Sequence, residues 1–254
     1  MDAKPYHETF TVPVDAEAGP LRRLLAVLEE MMETAGRHAE KLGVGVGSLR
    51  AKGLTWVLAR LHVRFGSVPA AGAELRVATW PAGRHRLFAV REFQLHDAAD
   101  CEVLKATSAW ALMKLETRRP MRLDPHLPVF ARHPGRMVED GFAPLPAPSP
   151  QAGRASYRAE VGDIDLNDHV NNTVYLDWAL CAVPEPLRRS PPLALEAAFL
   201  SEARLGDEVA CLTASASGEG GTVLLQSLLD AASGRELTRL RWLWPSPDCM
   251  IRDS

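Results

Sequence analysis

Residues Asp163 to Trp178 read DIDLNDHVNNTVYLDW, and no other stretch of the chain gathers so many groups suited to polar chemistry. Alternation predicts an extended run over 163–169 that puts Asp163, Asp165, Asn167 and His169 on one side. A helix follows. Asn171 or Asn172 can accept from an orphan N–H of its first turn. Val174, Tyr175, Trp178, Ala179 and Ala182 supply its apolar stripe at spacings of three and four. A carboxylate, an amide and an imidazole beside a helix N-terminus, where backbone donors and the dipole favour negative charge, suit the stabilisation of an oxyanion. The same residue types also serve ordinary turns and caps. D-x-D-x-N opens like a calcium loop, but Asp168 stands where the glycine belongs and Val174 where the bidentate Glu belongs, which excludes it. One histidine with no Cys or second His close by is a poor start for zinc. No metal and no cofactor is expected.

The elements around this run come in two similar series. Glu8 to Val14 alternates as a strand, and a turn follows over Asp15 to Pro20. Leu21, Leu24, Leu25, Leu28, Met31 or Met32, Ala35, Ala39 and Leu42 then mark a long amphipathic helix that stops at Gly43. Gly43, Gly45 and Gly47 follow a helix rather than a strand, so they read as a C-cap and turn, not a phosphate loop. His38 reads as a packed or half-exposed residue rather than a ligand. Four runs of period two come next: Trp56 to Phe65, Ala73 to Trp80, His85 to His96 and Glu102 to Leu115. Prolines 120, 125, 128, 134, 144, 146, 148 and 150 break regular structure over the connection that follows, with Phe130 and Phe142 as anchors. Then the order repeats: a strand over Tyr157 to Val161, the polar run and its helix to about Val183, and strands over 194–205, 207–217, 222–231 and 236–244. Strand, helix and four strands therefore occur twice, with little sequence identity. Where the second series has Asp165 to His169, the first has Asp15-Ala16-Glu17-Ala18-Gly19, without amide or imidazole. One active and one degenerate half is the pattern of a fused, diverged dimer.

Bulk properties narrow the classes. The 254 residues suffice for two domains with real cores. An apolar fraction of 46% and a charged fraction of 24% are those of a globular chain. The net charge of −3 argues against nucleic acid as a partner. No segment approaches the roughly 18 apolar residues of a membrane helix, and no apolar run stands behind a basic head to make a secretory signal. Cys101, Cys181, Cys211 and Cys249 show no paired spacing, so they read as reduced thiols and the expected compartment is the cytoplasm.

A helix wrapped by a meander, together with D-x-N-x-H-V-N-N-x-x-Y leading into a helix, resembles the acyl-acyl carrier protein thioesterases, whose fold is the hotdog. Arg37-His38-Ala39-Glu40, Thr55-Trp56-Val57-Leu58, Thr79-Trp80-Pro81, Ser108-Ala109-Trp110 and Thr117-Arg118-Arg119-Pro120 resemble that family's first domain. Leu195-Glu196, Glu202 and Gly206-Asp207 resemble its second. The resemblance implies an α+β protein of two tandem hotdog domains, each an antiparallel sheet wrapped around a long helix: residues 1–130 with a degenerate site, a Pro-rich linker over 131–152, and 153–254 carrying the catalytic motif. It implies hydrolysis of fatty acyl-acyl carrier protein, with acyl carrier protein (ACP) as partner; a homodimer is left open. It assigns catalysis to Asp165, Asn167, His169 and Glu202. Glu202 would be general base or water-orienting carboxylate, Asn167 a donor to the thioester carbonyl, and His169 a partner of the water or of the departing thiol. Asp165 would orient its neighbours. Either Glu202 or His169 can be the base on this reading. Some members carry a Cys after the equivalent of Glu202; here that residue is Ala203, which argues against a covalent thiol route. Two rivals remain: an enoyl-thioester hydratase, and a hotdog that binds acyl thioesters without turnover. For the acidic carrier the arginine clusters are Arg118, Arg119 and Arg122; Arg132, His133 and Arg136; and Arg188 with Arg189.

Overall fold

The computed structural model describes residues 4–13, 19–128, 130, 136–149, 151–218 and 220–246. The chain divides into two compact units, Met1–Glu17 with Ala26–Gly141, and Ala18–Leu25 with Phe142–Ser254. The division falls after Gly141, inside the expected linker. The expected turn over Asp15 to Ala18, with Cys249, Arg132 and His133, lies outside the described residues.

The first unit holds β1 (Tyr6–Thr11), α1 (Pro20–Lys41) from Ala26 onward, α2 (Val46–Arg50), β2 (Leu54–Phe65), β3 (Glu74–His85), β4 (Phe88–Asp97), β5 (Glu102–Lys114) and β6 (Arg119–Met121). Its strands run antiparallel in the order β1-β3-β4-β5-β2, with β6 on the end of β5. Helix α1 turns Leu28, Met31, Thr34, Ala35 and His38 inward, at the spacing its sequence predicts. It ends where Gly43, at φ 71, lets the amides of Gly43 and Val44 return to the carbonyls of Glu40 and Ala39. The short α2 beyond it was not expected; Leu49 of α2 and Val44 belong to one buried cluster with Leu54, Leu112, Leu123 and Leu127. His38 is packed rather than half-exposed. It stacks on Tyr6 with ring centroids 5.0 Å apart, and its Nδ1 lies 3.0 Å from Arg91 Nη1. Burial, then the charges of Arg91 and Lys41, push its pKa down to about 4, so the neutral ring accepts from the guanidinium.

The second unit repeats the plan. It holds β7 (Gly153–Arg158), α3 (Asn172–Cys181), α4 (Glu185–Arg188), β8 (Ala194–Phe199), β9 (Glu208–Gly218), β10 (Gly221–Asp230) and β11 (Glu236–Trp244). The antiparallel order is β7-β9-β10-β11-β8. Strand for strand this is the order of the first unit, so each unit is a hotdog. The helices differ in length: α1 has 22 residues and α3 only 10. Pro184 explains the early stop, because its ring disfavours helical backbone at Val183. Arg188 then closes the end of α3, donating to the carbonyls of Val183 at 2.6 Å and Cys181 at 2.8 Å. That arginine caps a helix, which removes it from the basic clusters available to a carrier. No helix of the described residues is long and apolar enough to cross a membrane.

The core of the second unit is organised by a buried amide. Gln226, in the middle of β10, donates to Ala179 O on α3 at 2.8 Å and to Thr213 Oγ1 on β9 at 3.1 Å. Its Oε1 accepts from Trp242 Nε1 on β11 at 2.9 Å. One side chain thus ties the helix to three adjacent strands.

Candidate active site

The expected extended run over 163–169 is absent. Val161–Asp163 is a turn of 3-10 helix, and Ile164 and Val170 meet in an isolated antiparallel bridge. Between them the chain doubles back: Asp165 N donates to His169 O at 2.7 Å and Asp168 N to Asp165 O at 3.1 Å, with Asp168 at φ 63. The cause is the side chain of Asp165. Its Oδ1 accepts from the amides of Asn167 at 2.7 Å and His169 at 3.3 Å, and its Oδ2 from Asn167 Nδ2 at 3.2 Å. A carboxylate that satisfies backbone donors two and four residues on favours a turn over a ladder. Asp165 is therefore the anchor of the loop, and it fixes how the Asn167 carboxamide is turned.

Helix α3 starts immediately after. Asn171 is its cap and accepts from Thr173 N at 3.1 Å and Thr173 Oγ1 at 3.2 Å. That donor of the helix N-terminus is consequently occupied by the chain itself, which shifts any oxyanion role towards the Asn167 amide.

Glu202 lies beyond β8, not on it. The ladder ends at Phe199 because the amides of Leu200 and Ser201 both turn to Leu237 O, at 2.8 and 3.1 Å. The following segment is fastened to the loop over 164–170 and to α3 instead. Val170 N donates to Ala203 O at 2.9 Å, and Ala203 N donates to the Tyr175 hydroxyl at 2.8 Å. Arg235 Nη2 donates to Glu202 O at 3.2 Å. These ties bring His169 Nε2 within 3.2 Å of Glu202 Oε2. The side chains are unequally exposed, 5% for His169 and 39% for Glu202. The imidazole is closed off, and the carboxylate is the member that water reaches. The four expected residues thus form two linked pairs, Asp165 with Asn167 and His169 with Glu202, joined through the backbone of one tight loop.

Tyr175 and Arg235 support this site and were not foreseen in that role. Tyr175 reads as a stripe residue of the helix; its signal is a hydroxyl on a face that otherwise needs none. Burial pushes its phenol up to about 12, so it stays protonated and accepts from Ala203 N. Arg235, in the turn before β11, has no local signal at all. Tyr175→Phe is expected to cost about 1 kcal/mol of stability through the unsatisfied Ala203 amide. Because that amide lies beside Glu202, kcat is also expected to fall, by about tenfold; unfolding and steady-state kinetics on the same variant check both. No group of three or more His, Cys, Asp or Glu among the described residues has the arrangement to hold a metal ion.

Comparison with known proteins decides the family. The profile described as "Acyl-ACP thioesterase N-terminal domain" matches residues 3–128, and "Acyl-ACP thioesterase C-terminal domain" matches residues 147–246. The chain belongs to the acyl-ACP thioesterase family. Oleoyl-acyl carrier protein thioesterase 1, chloroplastic, of Arabidopsis thaliana is 27% identical over 96% of this chain and 76% of its own length. Oleoyl-acyl carrier protein thioesterase 2 of the same plant is 30% identical over 62% of this chain and 48% of its own. An acyl-ACP thioesterase from Bacteroides thetaiotaomicron superposes with a TM-score of 0.81 at 25% identity, covering 94% of this chain and 97% of that one. The 12:0-ACP thioesterase of Umbellularia californica shares the fold at a TM-score of 0.79 and 24% identity, covering 94% and 93%. All four candidate residues of this thioesterase-family chain fall inside the match to the C-terminal domain.

Proposed function

We propose that the chain hydrolyses the thioester of fatty acyl-ACP by activated water, releasing free fatty acid, with Asp165, Asn167, His169 and Glu202 as the working set. One observation carries the roles: a closed-off imidazole lies 3.2 Å from a water-accessible carboxylate, in the C-terminal domain of an acyl-ACP thioesterase family member. Glu202 is the base. It takes a proton from water as the water oxygen attacks the thioester carbonyl. Asn167, its carboxamide turned by Asp165, donates an N–H to the oxyanion. The carbonyl re-forms, the carbon–sulfur bond breaks, and the proton held by the Glu202–His169 pair passes to the departing sulfur. His169 orients Glu202 and stabilises its charge.

The thiols support a route without a covalent Cys intermediate. Cys181 is exposed on α3, and burial and the neighbouring Asp177 carboxylate both raise its pKa. Burial pushes Cys211 up to about 11. Neither resembles the low-pKa thiol of a nucleophilic cysteine. Cys181→Ser is expected to retain most activity, within about twofold, in a thioester assay; a dead Cys181→Ser enzyme overturns the water mechanism.

Cys101, Cys181 and Cys211, the cysteines among the described residues, are unbridged, and on that ground the compartment we propose is the reducing cytoplasm. A degenerate site in the first unit remains part of the proposal. It rests on the sequence comparison over 15–19. For the carrier, Arg118, Arg119 and Arg122 remain as exposed arginines; Arg136 is held by His85 and by the carbonyl of Asp140. A homodimer is compatible with these roles and is required by none of them. Release of free thiol from acyl-ACP tests the reaction: thiol appears under hydrolysis. Loss of enoyl absorbance without thiol indicates a hydratase, and neither signal indicates a binding protein.

A further inference from the structure

A row of four buried side chains crosses the sheet of the first unit. The register places Trp80 of β3 opposite Glu92 of β4, Glu92 opposite Thr107 of β5, and Thr107 opposite His62 of β2. Directly paired residues share a face, so all four point the same way. All are buried, Glu92 and Thr107 completely. Residues 136–140, the segment that leads to the second unit, lie across this row. Met137 N donates to Glu92 Oε2 at 3.0 Å, and Val138 N donates to Thr107 Oγ1 at 3.1 Å. Thr107 Oγ1 is also 3.0 Å from Val138 O and 2.5 Å from Glu92 Oε2. His62 Nδ1 stands 3.4 Å from Asp140 Oδ2.

Counting protons decides the state of Glu92. A threonine hydroxyl has one proton and two lone pairs. Val138 N–H occupies one lone pair. Two oxygens remain, Glu92 Oε2 and Val138 O. If Glu92 were ionised both would be acceptors, and one proton cannot serve the two. If Glu92 carries a proton on Oε2, every contact is satisfied: the acid O–H donates to Thr107 Oγ1, and Thr107 O–H donates to Val138 O. The other oxygen, Glu92 Oε1, is buried with no hydrogen-bond partner among the described residues. That is tolerable for the carbonyl oxygen of a neutral acid and costly for half of a carboxylate.

We propose that Glu92 is a neutral carboxylic acid in the folded protein and acts as a proton-dependent latch on the segment 136–140. Burial raises its pKa above the ordinary 4.5. The Met137 amide and the charge of Arg136 work against the rise, and Glu139 adds to it. Other ionisable groups on the same face are His62, with Arg60 and Arg64 on either side of it along β2, Lys105 on β5, which pairs with Glu102 at 3.5 Å, His96 on β4 opposite Arg76 of β3, which pairs with Asp100 at 2.5 Å, and at the far end of the sheet Glu74 on β3 and His7 on β1. Because the folded value is raised, the latch is fully closed below pH 4.5, where Glu92 is protonated whether the segment is docked or not. It weakens as pH rises towards the folded value, since release lets the acid ionise in water.

Hydrogen exchange of the Met137 and Val138 amides in the full-length protein reads this directly, after correction for the intrinsic pH dependence of exchange. Protection is expected to fall by up to about tenfold per pH unit above pH 4.5. It is expected to be flat with pH in Glu92→Gln. Flat protection in the wild type, or the same slope in Glu92→Gln, overturns the latch. If Glu92→Gln does not fold, the wild type alone decides through the carboxyl resonances of carbon-13-labelled glutamate. One resonance titrating well above 4.5 is expected, and none doing so overturns the proposal.

Discussion

Glu202→Gln is expected to lower kcat about a hundredfold or more, with the protein folded and KM little changed. That loss equals about 2.7 kcal/mol of transition-state stabilisation. The amide can still face His169 across the 3.2 Å contact, so the loop keeps its support, but it cannot accept a proton from water. His169→Ala is expected to lose a similar factor for a different reason. It leaves the carboxylate in place without the ring that orients it and shares its proton. The two variants act on one unit, so the double variant is expected to lose little more than either alone. Stopped-time assays of thiol release on the purified variants measure all three. Normal turnover by Glu202→Gln would assign the base elsewhere. Losses that multiply in the double variant would mean that the two side chains work independently.

Gln226→Leu is expected to destabilise the second unit by about 3 kcal/mol. Leucine fills much of the space but leaves Trp242 Nε1 buried without an acceptor and takes a donor from Ala179 O. Ala179 O keeps its contact from the amide of Ala182 at 3.2 Å, so most of the cost falls on the indole N–H. For a chain of this size the midpoint of thermal unfolding is expected to drop by about 6 to 12 °C. Gln226→Glu is expected to be worse, because an ionised carboxylate at a fully buried position lacks the donor for Ala179 O and must be desolvated. Thermal unfolding followed through tryptophan fluorescence checks the order. An unchanged midpoint for Gln226→Leu would mean that the helix is held by apolar contact alone.

The doubled order of elements could be read from the sequence because its signals are local. The apolar stripe of α1, the stop at Gly43 and the alternation over β2 to β5 each depend on neighbours within a few residues. That Asp165, Asn167 and His169 lie together could be read as well, since they share one loop. Its geometry could not. Asp, Asn and His two apart look the same whether a strand alternates them or the Asp165 carboxylate folds them into a turn, because both put polar groups at period two. The end of β8 was hidden for a related reason: the shared acceptor at Leu237 O is main chain and leaves no mark on the side chains of Leu200 and Ser201. Arg188 looked like half of a basic patch because its sequence neighbour is Arg189, and only the fold turns it onto the carbonyls of α3. Gln226 and Glu92 did carry a signal, a polar residue inside an apolar strand. Nothing near them in sequence names the partners that satisfy them.

The central claim is that water attacks the thioester at the Glu202–His169 pair and no acyl group is ever attached to the protein. A single-turnover experiment tests it most directly: enzyme in excess over acyl-ACP, quenched at intervals, with free thiol, fatty acid and the intact mass of the protein measured in each sample. The account predicts that thiol and fatty acid appear at one rate, that the protein mass never rises by an acyl group, and that Glu202→Gln abolishes both products over the same interval. Thiol released ahead of fatty acid, with a transient protein species heavier by the acyl group, would contradict it.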